Sequence, residues 1–211
     1  SYLEFLSADQ LIVMRSTIYP GTFELIENIL RQHLGSCKFS FCPERIAQGK
    51  GIEEIFSLPQ IISANSVQAE RESAEIFSQV TKKLIFLKPR EAEMAKLISN
   101  SWRYLEFAIA NQFYMMVESQ GIDFHKILFA IQHDYPRAQH YANSGFAAGP
   151  CLYKDTKQLS SFYKNHFSLG QSAMLVNEGL ADFVVDQLES KIGALKNKKI
   201  AIFGMTFKDD R

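Results

Sequence analysis

Residues 90–119, REAEMAKLISNSWRYLEFAIANQFYMMVES, give the clearest structural signal in the sequence. This stretch contains neither proline nor glycine, and its apolar residues recur every three or four positions, as they do along one side of an α-helix. Pro89 precedes it and Gly121 follows it, as is typical of helix boundaries. We therefore predict one long helix over residues 90–119, with an apolar stripe made of Met94, Leu97, Ile98, Leu105, Ile109, Phe113, Met116 and Val117.

The segment before this helix has the alternation of an α/β sheet. Short apolar runs are separated by two helical patterns, which gives the order β-α-β-β-α-β. A loop or short turn is expected over residues 52–59. The predicted strands cover residues 11–17, 37–42, 60–64 and 83–88, and the predicted helices cover residues 22–33 and 67–81.

The segment after the long helix is expected to be all-helical, until a last strand begins a second α/β domain. We place the domains at residues 1–89, 90–196 and 197–211. Because the chain opens without Met and ends just after a strand, we expect it to be a fragment of a longer protein. The predicted late elements are helices over residues 123–133, 154–165 and 170–192, and a strand over residues 200–203.

Composition excludes several classes of protein. The chain has 211 residues, of which 46% are hydrophobic, so it is not a disordered chain. Lys and Arg number 23, as do Asp and Glu, and the net charge of zero argues against binding nucleic acid by neutralising phosphates. No apolar run reaches the roughly 18 residues of a membrane span. Three cysteines are too few for a disulfide scaffold, so we expect a reducing compartment, the cytoplasm.

The sharpest candidate for chemistry is GFAAGPCLYKDT, residues 145–156. Small residues before Cys151 would let a substrate approach its sulfur, and a nearby cation such as Lys154 would favour the reactive thiolate. Lys154 is also suited to a phosphate, and Asp155 to hydrogen bonding or proton transfer. The alternative is a buried structural cysteine in a turn before a helix.

Three weaker candidates lie earlier in the chain. Lys96 and Asn100 are one helical turn apart, so an ammonium and an amide together would stabilise an oxyanion, unless they merely face solvent. Glu44, in the segment PERI, follows a predicted strand and is either a general base at the sheet edge or part of a surface loop. Thr17 lies at the end of the first predicted strand, at the same kind of edge, where it is either functional or, with Pro20 and Gly21, part of a simple turn.

Other polar residues give weaker signals. The five histidines show no spacing typical of a metal site, so no metal is expected. Asn111 and Gln112, within the long helix, would either form hydrogen bonds across an interface or face solvent.

Five motifs in order carry a resemblance to a known family: STIYPGT, FCPERIAQGKG, EAEMAKLISNSWRYLEFAIANQF, GFAAGPCLYKDT and KKIAIFGMTFK. The chain resembles the UDP-glucose/GDP-mannose dehydrogenase family, NAD-dependent nucleotide-sugar 6-dehydrogenases, from about residue 11 to residue 208. The resemblance implies the C-terminal part of a Rossmann-type NAD-binding domain, a helical central domain, and the first strand of a nucleotide-binding domain. It also implies a nucleotide-sugar substrate and a homodimer through the long helix near residues 91–118. The G-x-G-x-x-G loop of such a cofactor domain does not occur in the 211 residues.

The resemblance also assigns roles to residues. It implies that Cys151 is a nucleophile, which would capture the sugar aldehyde as a thiohemiacetal and then form a thioester that water hydrolyses to a uronic acid. Catalytic roles fall to Cys151, Lys96, Asn100, Asp155, Glu44 and Thr17. Cofactor contacts are implied for Thr17, Glu44 and Lys154, and substrate contacts for Lys96, Asn100, Tyr141 and Lys154.

Two departures from the family pattern and two rival functions accompany this interpretation. Gln48 stands where glucose-type members often carry a second Glu, and AAGPC stands where many members have GGSC or GGHC. A β-hydroxyacid or 6-phosphogluconate-like dehydrogenase also uses a helix-borne Lys and Asn, but it needs no nucleophilic cysteine. A non-catalytic dimerisation core is the other rival, with an interface formed by Phe107, Phe113, Met115 and Met116.

Overall fold

The structure is a computed structural model that describes residues 2–47, 49–147 and 149–204. The strands are β1 (Leu11–Met14), β2 (Lys38–Phe41), β3 (Gln60–Ala64) and β4 (Leu84–Phe86). The helices are α1 (Thr22–Leu34), α2 (Gly51–Ser57), α3 (Val67–Phe77), α4 (Pro89–Glu118), α5 (Phe124–Gln132), α6 (Pro150–Phe162) and α7 (Ser168–Ile192). Short 3₁₀ turns cover Tyr2–Phe5 and Pro136–Ala138.

The four strands form one sheet in the order β1-β2-β3-β4. Pairs β1–β2 and β3–β4 are parallel and β2–β3 is antiparallel. The four predicted strands and the helices α1 and α3 occur in the predicted order, but an additional helix, α2, lies between β2 and β3. Because β1 and β2 are parallel, their carboxyl ends lie at the same edge of the sheet. Thr17 follows β1 and Glu44 follows β2, so both residues follow strand ends at this edge.

Contacts divide the chain into two compact units, one covering Ser1–Ile98 and the other beginning at Ser99. In the first unit, apolar side chains cover both faces of the sheet. Phe23 of α1 stacks on Phe39 of β2, with ring centroids 4.6 Å apart, while Ile62 of β3 and Phe77 of α3 belong to a separate buried cluster. The predicted three-part division, with boundaries at 89/90 and 196/197, stays a prediction.

The first turns of α4 are fixed to α1 by a buried carboxylate. Gly21 is the residue before α1 and carries no side chain that could bond to the first helical N–H groups. Glu93 replaces such a cap, because its two oxygens accept from the N–H groups of Gly21, at 2.7 Å, and Phe23, at 2.8 Å. This contact orients the part of α4 that carries Lys96.

The second unit is built from helices. Tyr104 and Ala108 of α4, Leu152 of α6 and Ala173 of α7 form its buried apolar cluster. Among the described residues, no helix combines the length and apolar character that crossing a membrane requires.

Several sequence predictions differ from the structure: β1 ends at Met14 and α3 at Phe77, each before its predicted end, and three further differences concern other segments. Residues 51–57 form a helix where we expected a loop or short turn, and Ala47 N–H donates to Glu54 of this helix. The helix predicted from residue 154 begins at Pro150, because proline suits the first helical position. Residues 200–204 are not in a strand, since a strand requires a hydrogen-bonded partner and the described residues pair none with them. Residues 205–211 of the predicted third domain lie outside the described residues.

Candidate active site

Cys151 lies in the first turn of α6. Gly149 precedes the helix with a φ of 85°, a left-handed conformation that favours glycine, and Pro150 begins the helix. The Cys151 side chain is exposed, whereas Cys37 and Cys42 are buried. Unpaired backbone N–H groups in a first helical turn favour negative charge nearby. The position is therefore accessible to a substrate and suited to an anion, and it does not match the alternative of a buried structural cysteine.

Asp155 lies one turn after Cys151 and is completely buried. Its Oδ2 accepts a hydrogen bond of 2.5 Å from Nδ2 of Asn100, which is itself only 8% exposed. A buried carboxylate needs such a donor, because losing its hydration without a replacement is costly. The bond joins α6 to α4 and brings together two of the residues predicted to act in catalysis.

The second oxygen of Asp155 is less fully paired. Its Oδ1 lies 3.4 Å from Nζ of Lys154, an ion-pair contact that lacks hydrogen-bond geometry. Within the part of the chain that the structure describes, this buried Oδ1 has no hydrogen-bond partner. It is therefore a buried acceptor that has no donor among the described residues, and the half-exposed ammonium of Lys154 faces the same carboxylate.

A loop leads from α5 to Cys151, and side chains hold it at two points. The backbone oxygen of Tyr141 accepts a hydrogen bond of 3.1 Å from Gln132. Asn111 of α4 bonds to both backbone polar groups of Gly145, at 2.8 and 2.9 Å. Burial raises the pKa of Tyr141, so its hydroxyl stays protonated to a higher pH than that of an ordinary tyrosine.

The sequence predicts that Asn111 either forms hydrogen bonds across an interface or faces solvent, and the structure matches neither alternative. The side chain is fully buried and bonded within its own chain. A polar residue in the middle of an apolar helix was the available signal, but the sequence does not show which distant backbone groups it meets.

Glu44 has the contacts of a structural carboxylate. It forms an ion pair with Arg15, and its Oε1 accepts from the N–H groups of Arg45 and Ile46, at 2.8 Å each. Arg15 in turn lies over the ring of Phe77, 4.9 Å from the centroid. Burial alone would raise the pKa of Glu44, but the Ile46 N–H and the Arg15 guanidinium outweigh it and hold the pKa below its ordinary value. A carboxyl with a lowered pKa is a weak base, so these contacts favour the surface-loop alternative.

The remaining predicted residues lie in the first unit. Lys96 is half-buried on α4, one turn before Asn100, and Thr17 is half-buried just after β1. Gln48, at the position where some relatives have a second Glu, lies outside the described residues. Among the described residues, no group of His, Cys, Asp and Glu could hold a metal ion.

The lowered pKa of Glu44 leads to a pH-dependent prediction for Glu44→Gln. A carboxyl whose pKa is lower in the folded state stabilises that state above its unfolded pKa of about 4.3, and this contribution disappears as the pH falls through the folded pKa. We expect the variant to lose up to about 1 kcal/mol near pH 7, a modest amount because the ion pair is partly exposed.

Urea unfolding between pH 3 and 7 measures this difference. The gap between the two proteins should shrink below about pH 4.3. The control Glu53→Gln changes an exposed residue of α2 and should give a small gap at every pH. A gap for Glu44→Gln that stays constant or widens in acid contradicts the stabilising role of this carboxylate.

Comparisons with known proteins agree with this geometry. Residues 2–81 match the model of the NAD binding domain of the UDP-glucose/GDP-mannose dehydrogenase family, and residues 90–179 match the model of its central domain. A UDP-N-acetyl-D-mannosamine dehydrogenase of Pyrococcus horikoshii is 28% identical over 97% of this chain and 51% of the relative. The UDP-glucose 6-dehydrogenase YwqF of Bacillus subtilis is 25% identical over 95% of this chain and 47% of the relative.

Solved structures show the same relationship. The UDP-D-ManNAc dehydrogenase of Pyrococcus horikoshii superimposes with a TM-score of 0.84 at 25% identity, over 94% of this chain and 50% of that chain. A UDP-glucose dehydrogenase of Pyrobaculum islandicum gives a TM-score of 0.78 at 27% identity, over 87% and 44%. The chain thus spans about half the length of the curated relatives it matches. Two successive domain models and these similarities show that the chain belongs to the UDP-glucose/GDP-mannose dehydrogenase family.

Proposed function

We propose that the protein oxidises the C6 alcohol of a nucleotide sugar to a carboxylate, with Cys151 as the nucleophile. The observation that carries the proposal is the exposed Cys151 thiol in the first turn of α6, one turn from the buried Asp155 that is bonded to Asn100. Relatives named for UDP-N-acetyl-D-mannosamine and for UDP-glucose support a nucleotide sugar as the substrate class. Neither family model supports the β-hydroxyacid alternative.

NAD is the cofactor of the N-terminal domain that residues 2–81 match. When bound, it accepts hydride from the substrate carbon. The parallel strands β1 and β2 suit a cofactor site, because their carboxyl ends share one sheet edge and ligands of α/β sheets bind beyond the carboxyl ends of strands. Thr17 offers a hydroxyl at this edge, whereas the oxygens of Glu44 already bond to Arg15 and to its own loop.

The first oxidation converts the alcohol to an aldehyde and releases one proton and one hydride. Asp155 or a bound water would move that proton; Oδ1 of Asp155 is buried and accepts no hydrogen bond from the described residues. Lys96 would stabilise negative charge on the substrate oxygen as the O–H bond breaks. Asn100 donates one N–H of its amide to Asp155. Its other N–H would donate to the substrate oxygen.

The second oxidation depends on Cys151. The thiolate adds to the aldehyde carbon and the oxygen takes a proton, which gives a thiohemiacetal. Loss of a second hydride and a proton from this adduct gives a thioester, and water then releases the uronic acid and restores the thiol. Covalent capture keeps the aldehyde in the site between the two oxidations.

We expect Cys151→Ser in the full-length protein to stop after partial oxidation, because a hydroxyl does not form the thioester readily. Product analysis by mass spectrometry, with NADH counted at 340 nm, measures how many hydrides leave each sugar. The wild type should give two NADH per uronic acid, and Cys37→Ser, at a cysteine outside the proposed site, should keep that ratio. Normal uronic acid formation by Cys151→Ser contradicts the assignment of the nucleophile.

We further propose that the chain forms a homodimer through the outer side of α4. Trp102, Ile109, Phe113 and Met116 are each about half exposed, between 47% and 59%, and their spacing of seven, four and three residues places them on one side of the helix. Of the earlier interface candidates, Phe107 packs against the inner cluster of the second unit, whereas Phe113 and Met116 belong to this exposed stripe. Such a stripe is suited to a symmetric contact with a second copy.

Phe113→Glu tests the proposed dimer. A charge in the middle of an apolar interface should dissociate it and raise the dimer Kd by about 100-fold or more. Sedimentation velocity across a range of concentrations measures this, with Leu175→Glu, a change at an exposed residue of α7, as the control that should keep the dimer. A monomeric wild type, or a dimer that Phe113→Glu leaves intact, contradicts the proposal.

A further inference from the structure

The amide of Asn111 is the centre of a buried hydrogen-bond chain in the second unit. Its Oδ1 accepts from the N–H of Gly145 at 2.8 Å, and its Nδ2 donates to the carbonyl of Gly145 at 2.9 Å. Nδ2 also donates to Oδ1 of Asn177, at 2.9 Å. One side chain thus pairs both backbone polar groups of a loop residue, as a neighbouring strand would.

The orientation of this amide is fixed from the other side. Asn177, on α7, is only 6% exposed and donates from its Nδ2 to the backbone carbonyl of Tyr104, at 3.1 Å. Its Oδ1 therefore faces Asn111 as an acceptor. A flipped Asn111 would place its oxygen against two acceptors, so it has one favourable orientation, and a fully paired buried network of this kind is rigid.

The loop held by this amide leads directly to the proposed nucleophile. Gly145 lies six residues before Cys151, and between α5 and α6 the described residues form only one 3₁₀ turn. The other tether is the bond from Gln132 to the carbonyl of Tyr141, so residues 142–144 lie between two fixed points. The path of residues 142–145, on the way to α6, therefore depends on Asn111.

We propose that Asn111, supported by Asn177, is a positioning residue that sets the path of the loop and thereby the position of Cys151 relative to the sugar. The proposal rests on the proposed function, because it takes Cys151 as the nucleophile. Small displacements of a reacting group lower catalytic rates steeply. Loss of the hydrogen bonds between Asn111 and Gly145 should therefore lower kcat more than it changes the KM for NAD.

The experiment has a structural arm that needs no substrate. Hydrogen exchange of the Gly145 amide, followed by NMR or by fragmentation mass spectrometry, is compared in the wild type, Asn111→Ala and Asn177→Ala. We expect exchange about 10-fold faster or more in Asn111→Ala, because Oδ1 of Asn111, the acceptor of the Gly145 N–H, is removed. We expect an intermediate rate in Asn177→Ala, because the bonds between Asn111 and Gly145 remain but the orientation of the Asn111 amide is less restricted. The control Gln120→Ala removes an exposed amide after the end of α4 and should exchange like the wild type.

The kinetic arm uses the same variants of the full-length protein. We expect kcat to fall about 10-fold or more in Asn111→Ala and less in Asn177→Ala, while the KM for NAD stays within about twofold. If Asn111→Ala does not fold, Asn177→Ala decides both arms.

Two results overturn the proposal: unchanged Gly145 exchange in the variants, or faster exchange with unchanged kcat. A wild type that forms no NADH from nucleotide sugars contradicts the proposed function instead. In that case, unchanged exchange of the Gly145 amide would still contradict the positioning role of Asn111. Faster exchange in the variants would support the conclusion that Asn111 fixes the loop.

Discussion

A buried carboxylate requires a hydrogen-bond donor, and the pairing of Asp155 with Asn100 meets this requirement in the second unit. Asn100 belongs to α4 and Asp155 to α6, so the bond fixes the start of α6 against the long helix. Leaving Asp155 without this donor would cost about 1–3 kcal/mol. Cys151 lies one turn before Asp155 on the same helix, and its position therefore depends on the same bond. The contact that stabilises the packing of these helices also places the proposed nucleophile.

Other polar residues of α4 act in the same way. Glu93 accepts from two backbone N–H groups at the start of α1, and Asn111 bonds to both backbone groups of Gly145. Both side chains are almost completely buried, so each must be paired to be tolerated. The apolar side of α4 supplies packing area, while these polar residues determine which segments it contacts and in what register. One helix thus organises neighbouring loops and helices through a few specific hydrogen bonds.

The sequence predicts α4 and the positions of the four strands along the chain well, because an uninterrupted period of three to four residues and short apolar runs are local signals. Helix α2 was not predicted, because its seven residues form only about two turns, too few to show a helical period of apolar residues. Local patterns make Cys151, Asp155 and Asn100 candidates and the family resemblance implies their roles, but the bond between Asp155 and Asn100 spans 55 residues and is visible only after folding. The sequence placed Glu44 at the sheet edge, but whether its oxygens are available depended on Arg15, 29 residues away. The role of Asn111 likewise required knowing the path of the loop it meets.

The proposed mechanism requires the sulfur of Cys151 to form a covalent bond to the sugar between the two oxidations. The most direct measurement is acid quenching of the full-length protein during turnover with NAD and a UDP-sugar, followed by peptide mass spectrometry. We expect a uronyl thioester on the peptide that contains Cys151, formed and consumed at rates compatible with turnover. Rapid NADH formation with no adduct on that peptide, or with the adduct on another residue, would contradict it.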